Sequence, residues 1–228
     1  MSGSMPVVNK AMLMRLYSSL RKRFGYLDWW PGETRDEMII GAILTQNTSW
    51  KNVEKAIARL KGNGLLELSK LSSANIGMIE QSIMPSGFYR QKARRLKGLA
   101  AYITSNYKNL DDFFSSETQE LRKELLSLDG IGNETADSII LYAAGKPVFV
   151  IDAYTKRIMK RVYGIDENME YEELQKLFMT ALGDDAPLYN DFHAQLVELG
   201  KNYCRKKPLC AWCPARKLCN FARHPQTH

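Results

Sequence analysis

Apolar residues recur three or four positions apart along most of this chain, which is the spacing of one face of an α-helix. In residues 10–24, the apolar positions Met12, Leu16 and Leu20 stand among basic residues, so the pattern predicts an amphipathic helix. Patterns typical of strands are scarce, and short clusters of glycine or proline separate the periodic stretches. The sequence therefore predicts an all-α fold.

Capping residues predict where several of these helices begin. Thr34-Arg-Asp-Glu37 has the form of a capping box and predicts a helix through the apolar residues that follow it. Ser49 predicts the start of another helix that ends near Gly62 and Gly64. A longer helix is predicted from about 89 to 106. We expect its exposed side to carry four basic residues: Lys92, Arg94, Arg95 and Lys97.

Length and composition limit the class of protein. A chain of 228 residues with 45% hydrophobic and 25% charged residues has an ordinary globular composition, and it can build one core or two small lobes. No apolar run approaches the length of a membrane span, so the sequence predicts a protein without a transmembrane segment.

All the cysteines of the chain lie within sixteen residues near its C-terminus, with the spacing C-x5-C-x2-C-x5-C. Four thiolates can surround a metal centre, so Cys204, Cys210, Cys213 and Cys219 are candidate ligands. The spacing favours an iron–sulfur cluster, because zinc ribbons usually pair two short knuckles and only one is present here. Structural zinc and two disulfides remain as alternatives, the disulfides being disfavoured by the absence of a secretory signal.

The same segment carries the net positive charge. The chain has 32 Lys and Arg and 25 Asp and Glu, a net charge of +7. Residues 201–228 contain seven of these bases and no acid, which leaves 25 bases against 25 acids elsewhere. A basic tail around a metal centre indicates a polyanionic partner.

Residues 128–136, Leu-Asp-Gly-Ile-Gly-Asn-Glu-Thr-Ala, join two predicted helices at about 118–127 and 133–144. Two glycines around one apolar residue allow a tight turn and a close approach to a ligand. The start of the second helix presents free N–H groups that favour a phosphate. An ordinary corner between two helices would have the same pattern, so this motif alone leaves both interpretations open.

Asp152 follows the apolar run 148–151 and stands eighteen residues beyond Glu134. Asp is a favoured residue at a helix start, which would by itself explain its presence there. A partly desolvated carboxylate at this place could instead stabilise a positive charge that develops on a sugar.

Taken together, these motifs resemble the endonuclease III superfamily, the helix–hairpin–helix DNA glycosylases. The hairpin, the aspartate eighteen residues after its variable position and the four cysteines occur in the order typical of that superfamily. Thr45-Gln-Asn47 and Gly87-Phe-Tyr-Arg-Gln-Lys-Ala93 also match it in order and spacing. The resemblance implies two helical lobes with double-stranded DNA bound between them. One lobe would comprise residues 29–147 and end in the hairpin, and the other would comprise 1–28 plus 148–228 and carry the aspartate and a [4Fe-4S] cluster loop.

The resemblance also implies roles for individual residues. Asp152 would be the catalytic residue, while Gln46 and Phe88 would fill the hole left by a flipped nucleotide and wedge the opposite strand. Expected DNA-binding residues are Gln46, Phe88, Tyr89, Arg90, Lys92, Gly130, Ile131, Gly132, Asn133, Glu134 and Thr135.

Two positions depart from the common pattern of the superfamily. Members that also cut the DNA backbone carry a lysine where this chain has Glu134, and its amine forms a Schiff base with the sugar. Glutamate cannot do so, which predicts a monofunctional enzyme that hydrolyses the N-glycosidic bond and leaves an abasic site. The first gap between cysteines is five residues here instead of the usual six.

Aromatic residues point to the branch of the superfamily that removes 3-methyladenine. Asp28-Trp-Trp-Pro31, Trp50 and the segment 191–200 resemble that branch, whose base pocket is aromatic. Stacking and cation–π attraction suit a positively charged alkylated purine. The expected pocket residues are Trp29, Trp30, Pro31, Trp50 and His193, with one of the paired tryptophans packed in the core. A lone histidine on a helix is also often structural.

Two rival functions remain open at this point. A glycosylase for uracil, thymine or another damaged base would need polar groups in its pocket. A non-catalytic iron–sulfur module that binds DNA would have no need for Asp152 beside phosphates. We expect a monomer without a membrane partner, located in the cytoplasm with the nucleoid.

Overall fold

The computed structural model describes residues 8–27 and 32–223. Their regular secondary structure is entirely helical, which confirms the predicted all-α class. The helices are α1 (Lys10–Phe24), α2 (Arg35–Leu44), α3 (Trp50–Gly62), α4 (Leu68–Ser73), α5 (Ile76–Ile83), α6 (Tyr89–Asn106), α7 (Leu110–Phe113), α8 (Thr118–Leu126), α9 (Asn133–Ser138), α10 (Ala153–Tyr163), α11 (Tyr171–Leu182), α12 (Ala186–Asn202) and α13 (Asn220–Arg223). Short 3-10 turns occupy Met84–Ser86 and Cys210–Trp212.

The described residues divide into two compact units. The hairpin unit comprises residues 32–146 and contains α2 to α9, and the cysteine unit comprises 8–27 with 147–223 and contains α1 and α10 to α13. None of the described helices combines the length and the apolar character that crossing a membrane requires.

Helix α2 forms a central part of the hairpin unit. Thr34 caps it by accepting a hydrogen bond from the backbone N–H of Glu37 at 3.2 Å, which confirms the helix start predicted there. Ile39, Ile40 and Ile43 are fully buried. Because α2 is apolar on nearly all sides, it packs inside the unit against α3, α6 and the turn that follows α9.

The helix predicted over 133–144 changes its winding midway. Residues 133–138 form α9, and Ile139–Ala143 continue it as a buried π-helical turn. Such turns occur frequently beside functional sites, since they shift the register of the side chains that follow. The π turn here follows α9, the second helix of the hairpin.

Aromatic packing fixes the segment that precedes α10 in the cysteine unit. The rings of Phe149 and Phe178 stack with centroids 4.0 Å apart, and Tyr189 and Phe192 meet Phe149 edge-on at 5.4 and 5.9 Å. The amide of Gln175 donates to the Phe149 carbonyl at 2.8 Å. Residues 148–151 are therefore buried although they lie outside the helices, and they bring the chain to Asp152 in a fixed position.

Candidate functional site

Asp152 lies where the buried extended segment becomes α10. Its Oδ1 accepts hydrogen bonds from the backbone N–H of Thr155 at 2.7 Å and from the Thr155 hydroxyl at 2.8 Å. Thr155 is fully buried, so this cap is well anchored. Asp152 is thus a genuine helix cap, and the bonds to Thr155 engage one carboxylate oxygen, Oδ1.

The second oxygen of Asp152 faces His193 on α12. His193 Nε2 lies 3.7 Å from Asp152 Oδ2, and only 7% and 11% of the two side chains are exposed. Burial lowers the pKa of His193 by more than the nearby Asp152 carboxylate raises it. The imidazole is therefore neutral at pH 7 and does not cancel the charge of an ionised carboxylate. The pair sets the Asp152 carboxylate beside a neutral imidazole in a poorly solvated place, as stabilisation of a nearby cation requires.

The hairpin between α8 and α9 favours glycine at residue 130, the first of its two glycines. Gly130 has φ +74, and a Cβ atom built on it would lie 1.9 Å from the Arg95 Nε atom. Ile131 is buried and anchors the turn, whereas Gly132 and Glu134 are exposed. The backbone conformation at residue 130 therefore favours glycine, and any larger residue would also displace the Arg95 side chain.

A buried ion pair braces the same hairpin. Arg122 on α8 donates to Asp137 on α9 through two bonds, Nε to Oδ1 at 2.7 Å and Nη2 to Oδ2 at 3.2 Å. The Arg122 Nη2 atom also donates to the Asn133 side chain at 3.1 Å. Because the guanidinium binds in this forked geometry, it fixes the angle between the two helices.

Gln46 lies in the loop after α2 and is tied to the hairpin. Its amide donates to the Gly130 carbonyl and to the Thr135 hydroxyl, both at 3.0 Å. The amide oxygen accepts from Arg95 Nη1 at 2.6 Å. The half-buried side chain is thus held between α6 and the hairpin, and filling a hole in DNA would require these bonds to exchange.

Phe88, unlike the half-buried and hydrogen-bonded Gln46, is an apolar side chain that is exposed to solvent. It stands just before α6 in the left-handed region, with φ 46 and ψ 31, and 66% of it is exposed. Tyr89 is half-buried and Arg90 is exposed, with the Arg90 guanidinium carbon 5.8 Å from the centre of the Tyr89 ring. An exposed phenylalanine in a strained conformation has the properties of a wedge rather than of a core residue.

Lys92 departs from the sequence expectation. The sequence predicts it on the exposed side of α6, but only 1% of it is exposed. Its Nζ donates to the carbonyls of Leu44 at 2.9 Å and Ser86 at 2.8 Å. That prediction of exposure was wrong, because the residue shares the buried face of α6 with Leu96 and Leu99. Of the other bases predicted on that side, Arg94 is exposed and Arg95 is half-buried.

The predicted base pocket is described only in part. Trp29, Trp30 and Pro31 lie outside the described residues. Trp50 is the first residue of α3 and is half-buried in the hairpin unit, whereas His193 belongs to the cysteine unit.

The four cysteines lie in the loop between α12 and α13. Cys204 and Cys219 are buried, Cys210 and Cys213 are half-buried, and all are free thiols. Burial raises the pKa of the Cys213 thiol to about 11, and the other three cysteines add to the increase. Arg161 on α10 lies at the same place, with Nη1 3.3 Å from the Cys204 sulfur. Cys213 is thus close enough to the other three cysteines to interact with them electrostatically.

The described residues contain no set of three or more ligating side chains arranged to hold a metal ion. A [4Fe-4S] cluster offers one iron atom to each of four thiolates, so its ligands surround a volume rather than a point. Four free, mutually interacting thiols in one loop have the number and the chemistry that such a cluster needs. Cys204, Cys210, Cys213 and Cys219 would hold it.

Comparison with known proteins identifies the family. The model for the HhH-GPD superfamily of base excision DNA repair proteins matches residues 40–183. A protein of Methanocaldococcus jannaschii whose name assigns it to the DNA repair glycosylases is 46% identical over 210 residues, which cover 91% of this chain and 96% of that relative. The chain belongs to the HhH-GPD superfamily. The resemblance inferred from the motifs is therefore confirmed.

Two further similarities bear on the branch of the superfamily. The structure of Helicobacter pylori 3-methyladenine DNA glycosylase (MagIII) bound to 1,N6-ethenoadenine superposes with a TM-score of 0.76 at 31% identity, covering 85% of this chain and 98% of that one. The thymine-DNA glycosylase of Aeropyrum pernix is 27% identical over 66% of this chain and 67% of its own length.

Several residues that build the HhH-GPD site were not found from the sequence. Thr155 completes the cap of Asp152. Its position could have been predicted, because the N–H that a capping aspartate binds lies three residues after it. Arg95 and the Arg122–Asp137 pair had none, because their partners meet only after folding.

Proposed function

We propose that this HhH-GPD protein is a monofunctional DNA glycosylase that removes alkylated bases of the 3-methyladenine type from double-stranded DNA and leaves an abasic site. The observation that carries the proposal is Glu134, which is exposed in the first turn of α9 at the position where bifunctional relatives have a lysine. A carboxylate there cannot form a Schiff base.

Asp152 supplies the chemistry that hydrolysis needs. As the glycosidic bond breaks, positive charge grows on the sugar, and the carboxylate stabilises it. Oδ1 remains in the helix cap while Oδ2, opposite neutral His193, faces the charge or orients water. No acid is required for departure of an N3-alkylated purine, because its positive charge already weakens the bond.

The alkylated substrate is supported by similarity to the 3-methyladenine glycosylase of Helicobacter pylori at 31% identity. Trp50, Pro31 and one of the pair Trp29 and Trp30 would surround the flipped base, together with His193, while the other tryptophan packs in the core. A cationic purine needs little beyond such stacking, worth about 0.5–2 kcal/mol per ring. The second candidate is a glycosylase for thymine or uracil, which the similarity to the Aeropyrum pernix enzyme favours.

We also propose that the four cysteines hold a [4Fe-4S] cluster. When bound, the cluster would cross-link the loop and fix the Lys and Arg residues around it for contact with DNA phosphates. Residues 201–228 contain no acidic residue, which favours such contact. Purified protein would be yellow-brown and contain about four iron atoms per chain. A colourless preparation with zinc would exclude the cluster.

The test of the substrate is release of free base. Randomly methylated duplex DNA is incubated with the protein and with the Asp152→Asn variant, and the bases set free are identified by mass spectrometry. We expect 3-methyladenine from the wild type alone. Release of thymine or uracil from mispaired duplexes, with no alkylated base, would replace the alkylated substrate by the second candidate.

The test of monofunctional chemistry is borohydride trapping. A Schiff base between enzyme and sugar is reduced to a stable covalent complex, so the wild type should give none while still releasing base. Glu134→Gln, which removes the charge without adding an amine, is the matched control and should also give none. A trapped wild-type complex would show lyase chemistry from another amine.

A further inference from the structure

A buried lysine joins two segments of the hairpin unit that are far apart in sequence. Lys92 is 1% exposed, and its Nζ binds the carbonyl of Leu44, at the end of α2, and that of Ser86, at the end of a 3-10 turn. The two carbonyls are thereby held on one ammonium group. Each lies at a helix end, where carbonyls need partners from outside the helix.

The segments that follow these carbonyls share an unusual backbone. Asn47 comes three residues after Leu44 with φ 53, and Phe88 comes two residues after Ser86 with φ 46. Among the described residues, these are the two that adopt positive φ without being glycine. Such conformations persist where the surroundings over-determine them, and they concentrate at functional sites.

Lys92 forms hydrogen bonds on both sides of the Phe88 turn. Its side chain binds the Ser86 carbonyl, and its backbone N–H donates to the Phe88 carbonyl at 3.0 Å. The ring between these two anchors is 66% exposed. Burial, together with the charge of Arg95, lowers the pKa of Lys92 to about 8, so this ammonium is kept in an unfavourable place. An exposed ring, a strained backbone and a buried charge occur together here.

We propose that Lys92 is a positioning residue that fixes the backbone of the Phe88 turn to that of the loop of Gln46 and Asn47. The two loops would then enter DNA at a fixed spacing as a two-pronged wedge, with the Gln46 amide exchanging its hydrogen bonds on insertion. The inference rests on the proposed function, because it assumes that the protein opens a DNA duplex. A rigid wedge lowers the cost of ordering both loops when they bind.

The second prong has an independent support. Gln46 is held by Arg95 and by the hairpin through three hydrogen bonds, so the loop after α2 does not depend on Lys92 alone. Phe88 has no such side-chain bond at its helix cap. Loss of Lys92 should therefore act mainly through Phe88.

The experiment measures wedge insertion without catalysis. A duplex carries a stable abasic analogue with 2-aminopurine opposite it, and the fluorescence of that base rises when a wedge unstacks it. We expect Lys92→Met to bind this duplex about tenfold or more weakly and to give a smaller rise at saturation, because two bonds from a charged donor are lost. Affinity for undamaged duplex should not change.

Two further variants make the readout specific. Arg94→Met removes an exposed base from the same helix and should weaken both duplexes alike, with the full fluorescence rise at saturation. Phe88→Ala should reproduce the loss seen in Lys92→Met, and the double variant should lose little more, since both changes disable one wedge. A general structural defect would instead add to the effect of Phe88→Ala.

Full fluorescence with Lys92→Met at saturation, or additive losses in the double variant, would overturn the inference. If circular dichroism shows that Lys92→Met does not fold, Lys92→Leu, which also has no donor, decides by the same criteria. The duplex contains no base to release. Failure to release any base from methylated DNA would thus refute the proposed function. It would leave the fluorescence measurement, which does not depend on base release, as a separate test of the wedge.

Discussion

The buried charges beside the hairpin and the largely buried carboxylate of Asp152 in the cysteine unit are bonded in opposite ways. In the hairpin unit, Lys92 is bound by two carbonyls, and Arg122 meets Asp137 through two hydrogen bonds. In the cysteine unit, Asp152 uses one oxygen for a helix cap and turns the other toward a neutral histidine. Charge serves to fix geometry at Lys92 and at Arg122–Asp137, whereas at Asp152 its field is left available.

The contrast follows from what each region has to do. A buried, fully bonded charge contributes little net stability, but its loss is costly, so it enforces one arrangement of the loops that it holds. A carboxylate with a fixed cation beside it would have most of its field cancelled. Asp152, beside a neutral imidazole, would retain an attraction for the cation that forms in the proposed reaction.

The sharpest way to test this contrast is to remove the charge of Asp152 and keep its cap. Asn caps helices about as well as Asp, so Asp152→Asn should leave the free energy of unfolding nearly unchanged. Base release should fall by about 10³-fold, because the stabilising charge is gone. Single-turnover base release and urea denaturation measure the two effects.

Asp152→Ala is the matched control. It removes charge and cap together, so it should lose activity and also about 1 kcal/mol of stability. If Asp152→Asn instead lost stability and retained base release, the carboxylate would be only a cap and the contrast would disappear.

The brace of the hairpin provides the next largest effect. Arg122→Met leaves Asp137, which is 0% exposed, without its cation and should lower the free energy of unfolding by about 3–5 kcal/mol. Arg35→Met breaks an exposed pair with Asp111 in the same unit and should cost at most about 1 kcal/mol. Urea denaturation of both variants measures the difference, and equal losses would mean that burial does not set the strength of the brace.

These residues also show how far the sequence could lead. Periodicity predicted the bounds of α1 and α6, capping residues predicted the starts of α2 and α3, and the motif around Gly130 predicted the hairpin. Lys92 was missed although it falls four residues before Leu96 on the buried face of α6, because its charge received more weight than its register. Its partner at Leu44 lies 48 residues away, and no local pattern gives such a contact.

The buried ammonium of Lys92 should also respond to pH. Its pKa falls from an ordinary 10.5 to about 8 on folding, so between these values the unfolded chain binds more protons than the native protein. Stability should therefore rise with pH across that interval, by at most about 3 kcal/mol. The free energy of unfolding of wild type minus that of Lys92→Met isolates this contribution from the tyrosines, which also titrate there. A difference independent of pH between 8 and 10.5 would mean that the ammonium is not confined as the contacts indicate.

The smallest effect concerns His193 and tests the neutral neighbour of Asp152. Burial lowers its pKa below the ordinary 6.5, so as pH falls through 6.5 the unfolded chain takes up a proton that the native protein does not. Stability should decline by at most about 1.4 kcal/mol per pH unit over this range, and His193→Gln should remove that part of the decline. Urea denaturation from pH 7 to about pH 5 measures it, above the range where most carboxylates titrate. If wild type instead gained stability on acidification and His193→Gln did not, the imidazole would be charged beside Asp152. The Asp152 carboxylate would then be paired with a cation, as Asp137 is with Arg122. The two carboxylates would differ in their place in the fold but not in having a charged partner.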